Sequence, residues 1–232
     1  MQSILSFPER GPWGKASYPG NCSGYVVKEL IQYFRPKTVA DPCEGSGTTK
    51  DVCSALRVPY WGADLREGFD LVSTPVFQVC PFSPDLIVLH PPYFRIVRYS
   101  GNAWETAPNP RDLSQVNEWE EYLSGLFKMI GNCVGSVSPG GRVCLIIGDV
   151  RQRGSYYSAA AEVIHAYRPD QVEAVLIKEE HHVRSDKTTY SGNFIRIRHE
   201  YVIVLRGRPQ TDDERHTGGF TGTNNTEAGD GR

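Results

Sequence analysis

No stretch of this sequence approaches the ~20 consecutive apolar residues that a membrane-crossing helix needs. Its first residues, MQSILSFPERGPWG, lack a charged start followed by a long apolar run, so no secretory leader is expected. The six cysteines, Cys22, Cys43, Cys53, Cys80, Cys133 and Cys144, include no CxxC pair. That spacing argues against a zinc knuckle and suits reduced thiols in a soluble cytoplasmic protein. Neither sign of charge prevails: 25 Lys and Arg stand against 27 Asp and Glu, a net charge of −2. The total does not announce a nucleic-acid binder, although a local basic rim can act where the total does not. There is no internal repeat.

What is present is a single α/β pattern. At 232 residues, with 39% hydrophobic side chains, one core can bury roughly 70–75% of the unfolded surface. Apolar residues at helical spacing predict helices over 23–34, with Ser23 as N-cap and Pro36 as the stop, then over 49–56, 119–137 and 156–167. A short helix is expected over 69–72. Strands are expected at 38–40, 60–63, 86–89, 143–147, 171–177 and 194–205. The alternation implies a mainly parallel sheet with helices on both faces. The last two strands are joined by about 15 polar residues without helical pattern, so they should pair antiparallel. Residues 1–20 read as an extended lead-in and 94–117 as an aperiodic loop of the kind that serves as a lid. The tail from Gly207 has no core signal and is expected to be disordered.

Two stretches carry chemistry. Residues 41–49 read DPCEGSGTT, and Gly45 and Gly47 allow a tight strand-to-helix turn. It is not a phosphate-cradling P-loop, since Gly47 is followed by Thr48, Thr49 and only then Lys50. A dinucleotide fingerprint would need glycine at Lys50, and Glu44 would repel a pyrophosphate. Acids at Asp41 and Glu44 suit a cationic, zwitterionic ligand instead. Asp64, at the end of the next strand, is placed to accept both hydroxyls of a ribose. The second stretch, DLIVLHPPYF at 85–94, ends a buried strand in a titratable ring, two prolines and two aromatics.

Together, Asp41–Thr49 and His90-Pro91-Pro92-Tyr93 resemble the amino-directed DNA methyltransferases that use S-adenosylmethionine. The likeness extends over about 17–206, with Tyr18-Pro19-Gly20-Asn21-Cys22-Ser23 before the turn and His199-Glu200-Tyr201 like that family's final strand. It implies a Rossmann-like class I methyltransferase fold in one domain, 1–206, with a seven-stranded sheet whose last strand is antiparallel. It implies S-adenosylmethionine held by Tyr18, Asn21, Ser23, Asp41, Pro42, Cys43, Glu44, Gly45, Ser46, Gly47, Thr48, Thr49, Asp64 and Leu65. The family's corner begins with Asp, Asn or Ser, and here His90 stands in that place.

The chemistry accounts for these residue types. An exocyclic base amine is a poor nucleophile because its lone pair is delocalised, and acceptors opposite its N–H bonds free that pair. His90 and the Pro91 carbonyl would be those acceptors, with the prolines removing competing donors. Tyr93 would stack on a flipped base and Phe94 flank it. Only a neutral imidazole accepts a hydrogen bond, so turnover should fall as pH drops through the unperturbed value of ~6.5. Arg95, Arg98 and Tyr99 with Trp104, then Arg184 and Arg198 with Lys187 and Arg196, then Arg151 and Arg153 are basic loops suited to a polyanion.

The implied substrate is therefore DNA, adenine N6 favoured. Cytosine N4, RNA, a glutamine side-chain amide (ranked lower for want of a need for basic loops) and a non-catalytic nucleic-acid-binding subunit are the alternatives. No segment is long enough for a separate recognition domain, 94–117 being the only candidate, so specificity should be low, short, or supplied by a partner; a homodimer or a specificity partner is the assembly expected. By family analogy, motif order and size suit a bacterial, phage or mobile-element enzyme.

Overall fold

Residue parity along each strand determines which helices cover it. In the computed structural model, which describes residues 1–181 and 195–207, the elements run β1 (Ile4–Ser6), α1 (Gly24–Phe34), β2 (Val39–Asp41), α2 (Thr48–Leu56) and β3 (Tyr60–Gly62). They continue with β4 (Leu86–Leu89), α3 (Trp119–Val134), β5 (Arg142–Gly148), β6 (Val150–Gln152), β7 (Ser155–Tyr157), α4 (Ala159–Ala166), β8 (Val172–Glu179) and β9 (His199–Arg206). Successive side chains of a strand point to opposite faces. Thus Leu86, Val88, Cys144, Ile146, Val202 and Val204 pack with Val26 and Leu30 of α1 and Val52 of α2. Their neighbours Ile87, Leu89, Leu145, Ile147, Ile203 and Leu205 pack with Tyr122, Leu126 and Ile130 of α3 and Val163 of α4. Both faces of the central strands are covered, which is why those runs lack polar alternation.

The sheet has seven strands in the order β1-β8-β9-β5-β4-β2-β3. All pairs are parallel except those of β9, which runs antiparallel to both β5 and β8. This is the Rossmann-like α/β architecture expected, antiparallel last strand included. Its membership differs from the sequence pattern in two places. The lead-in supplies an edge strand, Ile4 pairing with Ile177, of which only Leu5 is buried; three residues give too little alternation to notice. Residues 149–157, expected as a basic loop running into a helix, form the β6–β7 hairpin. Helix α4 therefore starts later, with Ser158 Oγ accepting from the Ala161 N–H. The helix expected over 69–72 is absent; single 3-10 turns occupy Leu65–Glu67 and Val76–Gln78. Ser23 sits at the N-cap of α1, but its hydroxyl makes no cap bond and reaches the Glu9 and Arg10 carbonyls. No helix among the described residues is long and apolar enough to cross a membrane. The tail beyond Gly207 lies outside the described residues.

The aperiodic loop is ordered by one carboxylate. Asp112, 1% exposed, accepts from the Ser100 N–H (2.8 Å), the Ser100 hydroxyl (2.7 Å) and the Ser114 N–H (2.8 Å). Ser100 Oγ then accepts from the Asn109 N–H at 2.9 Å. Asp112→Ala would leave these buried donors without their charged acceptor. It should lower the urea unfolding free energy by about 2–3 kcal/mol; a change within about 0.5 kcal/mol would show that the carboxylate does not hold the loop.

Candidate active site

Parallel pairing of Val39 with Leu86 and Ala40 with Ile87 sets β2 beside β4, while β3 lies on the other side of β2. The chain thus crosses over β2 between β3 and β4, and ligands in such sheets bind outside the carboxyl ends at this switch. Asp41 ends β2, and His90 follows directly on β4. Between them opens a cavity whose empty space, open mouth included, is about 890 Å³.

The glycine turn forms one wall. Gly45 (φ 55°) and Gly47 (φ 83°) both take the left-handed conformation that other residues avoid. The turn is tied to β3 by Ala63 N–H to the Asp41 carbonyl and Glu44 N–H to the Ala63 carbonyl, each 3.0 Å. Asp64 accepts from the Gly45 N–H through one oxygen and the Arg66 N–H through the other, both 2.9 Å. Asp41 accepts from the Cys43 N–H at 3.0 Å. Burial pushes the Asp41 carboxyl up to about 7, although the Thr49 hydroxyl and that N–H pull it down; the nearby Glu44 and Asp64 charges add to the rise. Burial also raises Glu44, against the pull of Lys50 at 3.8 Å.

Of the fourteen residues expected to hold the cofactor, twelve line this cavity; Ser23 and Gly47 do not. The donor set suits a cation bearing hydroxyls: three carboxylates and the Ser46 hydroxyl, buried with no partner among the described residues. The same set would repel phosphate.

The roof comes from 94–117, the loop expected to serve as a lid. Tyr99, expected to hold substrate, stacks on Tyr18 (6.0 Å, 25°), and Trp104 donates its indole N–H to the Tyr18 hydroxyl at 2.9 Å. Loop 94–117 so closes over the segment before α1, and Arg111, Asp112 and Leu113 join the lining. Phe69, Asp70 and Leu71 complete it from the side. None of these stands at a motif spacing, so only the folded loop reveals them.

The HPPY corner lies at the other wall, where His90 and Pro92 reach the cavity. His90 Nε2 is 2.8 Å from the Tyr93 hydroxyl. Burial lowers the imidazole to about 4; the Glu200 charge opposes this and Lys178 adds to it. The fall in turnover expected near ~6.5 accordingly moves to this lower range. The Pro92 carbonyl accepts from the Tyr122 hydroxyl at 2.8 Å. Pro91 is buried behind the lining, and no described residue donates to its carbonyl.

Other assignments need revision. Tyr93 is not among the lining side chains: its ring lies against Gly148, where a Cβ would come within 2.7 Å. Phe94 is a core residue, 3% exposed with its ring near Trp119, Tyr122 and Tyr157, and its φ of 44° turns the chain inward. Arg95 buries its Nε without a partner, and Arg98 donates to Gln115 Oε1 at 2.9 Å within the loop. Arg198 is exposed and donates to the Glu180 carbonyl at 3.2 Å. Arg184 lies outside the described residues.

No protein-family model matches the chain, and no curated protein matches it. Among solved structures, TrmN from Thermus thermophilus aligns over 82% of this chain and 50% of its own, with 15% identity and a TM-score of 0.46. An rRNA methylase from Streptococcus thermophilus aligns over 79% of this chain and 96% of its own (11%, TM-score 0.40). A candidate DNA modification methylase, also from Thermus thermophilus, aligns over 77% and 58% (18%, TM-score 0.36). The chain spans half the length of TrmN. Likenesses at this level carry no functional argument, and the architecture rests on the strand order above.

The raised Asp41 carboxyl gives a direct binding test. It is protonated below about 7 in the free site, and a nearby cation favours the carboxylate. Binding of S-adenosylmethionine, the cofactor the resemblance implies, should therefore release a proton at pH 6, with affinity rising as pH increases towards 7. Calorimetry in two buffers of different ionisation heat reads this release, and Asp41→Asn should abolish it. No proton release by the unaltered chain would show that Asp41 does not face the cation.

Proposed function

We propose that this chain is an S-adenosylmethionine-dependent methyltransferase acting on the exocyclic amino group of a nucleic-acid base, with adenine N6 in DNA favoured. One observation carries it: a neutral imidazole acceptor at one wall of a cavity whose opposite wall is an acidic, phosphate-repelling glycine turn.

Asp41, Glu44 and Asp64, with Ser46, would hold the cofactor, and Tyr18, Tyr99 and Trp104 would roof it against water. When bound, S-adenosylmethionine supplies an electrophilic methyl on a cationic sulfur. His90 would accept one N–H of the base amine. The other N–H would fall to the Pro91 carbonyl, as the resemblance implies; it has no described donor, while that of Pro92 is held by Tyr122. Pro91 lies behind the lining, so the base would have to reach past Pro92 to meet it. These two bonds draw the nitrogen lone pair out of conjugation and aim it, so positioning is the corner's main contribution. Phe94, in the core, takes no part. Exposed Arg198, with the basic loops, would meet the phosphates.

Incubation with methyl-labelled S-adenosylmethionine and DNA or RNA, followed by mass spectrometry of the nucleosides, tests the proposal. N6-methyldeoxyadenosine is expected, and His90→Ala should lower kcat by about 100-fold or more. At saturating S-adenosylmethionine and substrate, kcat should stay level from pH 8 to 5.5 and fall only towards the imidazole value of about 4, because protonation removes the acceptor. Methyl transfer to cytosine or RNA would correct the substrate. Binding without transfer to any nucleic acid, or a His90→Ala variant at full rate, would overturn the mechanism.

A further inference from the structure

Beyond β5 the chain leaves the main sheet and folds back on itself as the β6–β7 hairpin, a two-stranded sheet of its own. Strands this short are marginal alone, so packing must hold them. Cross-strand partners share a face, and the two faces differ. Val150 and Tyr157, one partner pair, turn inward: Val150 is buried, and the Tyr157 ring lies 5.1 Å from Trp119 and 5.5 Å from Phe94. Arg151 and Tyr156, the next pair, turn outward, with the Arg151 guanidinium 5.4 Å from the centre of the Tyr156 ring. Arg153 and Gly154 make the turn, both with positive φ, and Arg153 is exposed.

Tyr156 is 49% exposed, yet its ring is anchored. Its hydroxyl donates to Asp149 Oδ2 at 2.5 Å, and Asp149 is buried directly beyond β5. Tyr201 of β9 donates to the same oxygen at 3.3 Å, and His199 Nε2 lies 3.5 Å from it. A ring tied at its hydroxyl and open along its body loses little freedom on meeting a ligand. Its place in the fold matters as well. Gly148, the residue before Asp149, is the seat of the Tyr93 ring, so the hairpin starts beside the HPPY corner, at the carboxyl edge of the sheet. Tyr33 at the end of α1 and Phe77 ahead of β4 are also exposed, but at the opposite edge. Residues 150–157, VRQRGSYY, hold two arginines and no acid, and exposed Arg198 stands just ahead of β9.

An aromatic ring with a guanidinium against it, beside further cations, fits one ligand chemistry. A base stacks on the ring while the adjoining phosphate meets a cation. Such stacking needs a base that is free of a helix; in a duplex with one base flipped, the neighbours stay in the stack. We propose that the outer face of this hairpin binds an unpaired base next to the target on a single-stranded nucleic acid, with Tyr156 and Arg151 stacking on the base and Arg153 meeting its phosphate. The inference rests on the nucleic-acid substrate proposed above and narrows it to single strands. It gives the chain a second hold on the substrate strand, outside the cofactor cavity.

Single-stranded DNA with one adenine, carrying 5-iododeoxyuridine in turn at each flanking position, reads the contact in the unaltered chain. Irradiation joins iododeoxyuridine to a ring stacked on it, and peptide mass spectrometry should find the join at Tyr156. Crosslinks only at other residues, or none, would overturn the inference. In titrations followed by fluorescence anisotropy, the single strand should bind more tightly than its duplex. Tyr156→Ala should weaken single-strand binding about tenfold or more, whereas Tyr156→Phe, which keeps the ring, should stay within about threefold. Arg153→Asn, which suits the left-handed turn, should lower the slope of log affinity against log salt by about 0.7. Undiminished binding by Tyr156→Ala, a duplex bound as tightly, or an unchanged salt slope would each contradict it. The crosslink and the Arg153 variant keep the test intact if Tyr156→Ala fails to fold. A Tyr156 crosslink without methyl transfer would remove the reaction proposed above and leave this site; methyl transfer without that crosslink would do the reverse.

Discussion

The parallel pairing of β2 with β4 is the constraint on which the site depends. It brings the end of a strand that finishes in Asp41 beside the end of one that runs into His90. Two stretches some fifty residues apart in sequence thereby become opposite walls of one cavity. Neither wall has much freedom. The glycine turn is pinned to Ala63 and Asp64 on one side, and the proline corner is pinned by Tyr122 on the other. Positioning of this kind, set by the sheet and paid for in folding, is what a transfer between two bound molecules requires.

Electrostatics give the two walls opposite characters. Around the turn, burial, with the nearby charges of Glu44 and Asp64 adding to it, lifts Asp41 to about 7, a cost that a cation bound there would relieve. At the corner, burial lowers His90 to about 4, so the ring is neutral throughout the physiological range and able to accept. The ion cluster of Lys178, Glu180 and Glu200 stands behind the corner rather than in the cavity. It acts on the ring through its charges: beside the dominant effect of burial, Glu200 raises the imidazole and Lys178 lowers it.

Much of this was legible in the sequence because it is local. A glycine turn announces itself by spacing, and twelve of the residues expected around the cofactor do line the cavity. Long buried strands such as Val143–Ile147 and the helix from Trp119 follow from periodicity alone. What escaped is non-local. The edge strand at Ile4–Ser6 exists only through its pairing with β8. The Tyr18–Tyr99–Trp104 roof joins segments about eighty residues apart. Phe94 looked like a partner for a flipped base because it follows Tyr93, yet a left-handed φ sends it into the core. Tyr93 looked like a stacking platform because such corners invite it, and the bare face of Gly148 gives it another seat. Sequence adjacency reports which residues share a corner, but not which way each one turns.

The central claim concerns where the substrate amine sits. A crystal structure of the chain with a non-reactive S-adenosylmethionine analogue and a short deoxyadenosine-containing oligonucleotide addresses it directly. The account predicts the exocyclic nitrogen about 3 Å from a ring nitrogen of His90 and from the Pro91 carbonyl oxygen, with the analogue against Asp41, Glu44 and Asp64. A base bound elsewhere, or an imidazole turned away from an occupied cavity, would contradict it.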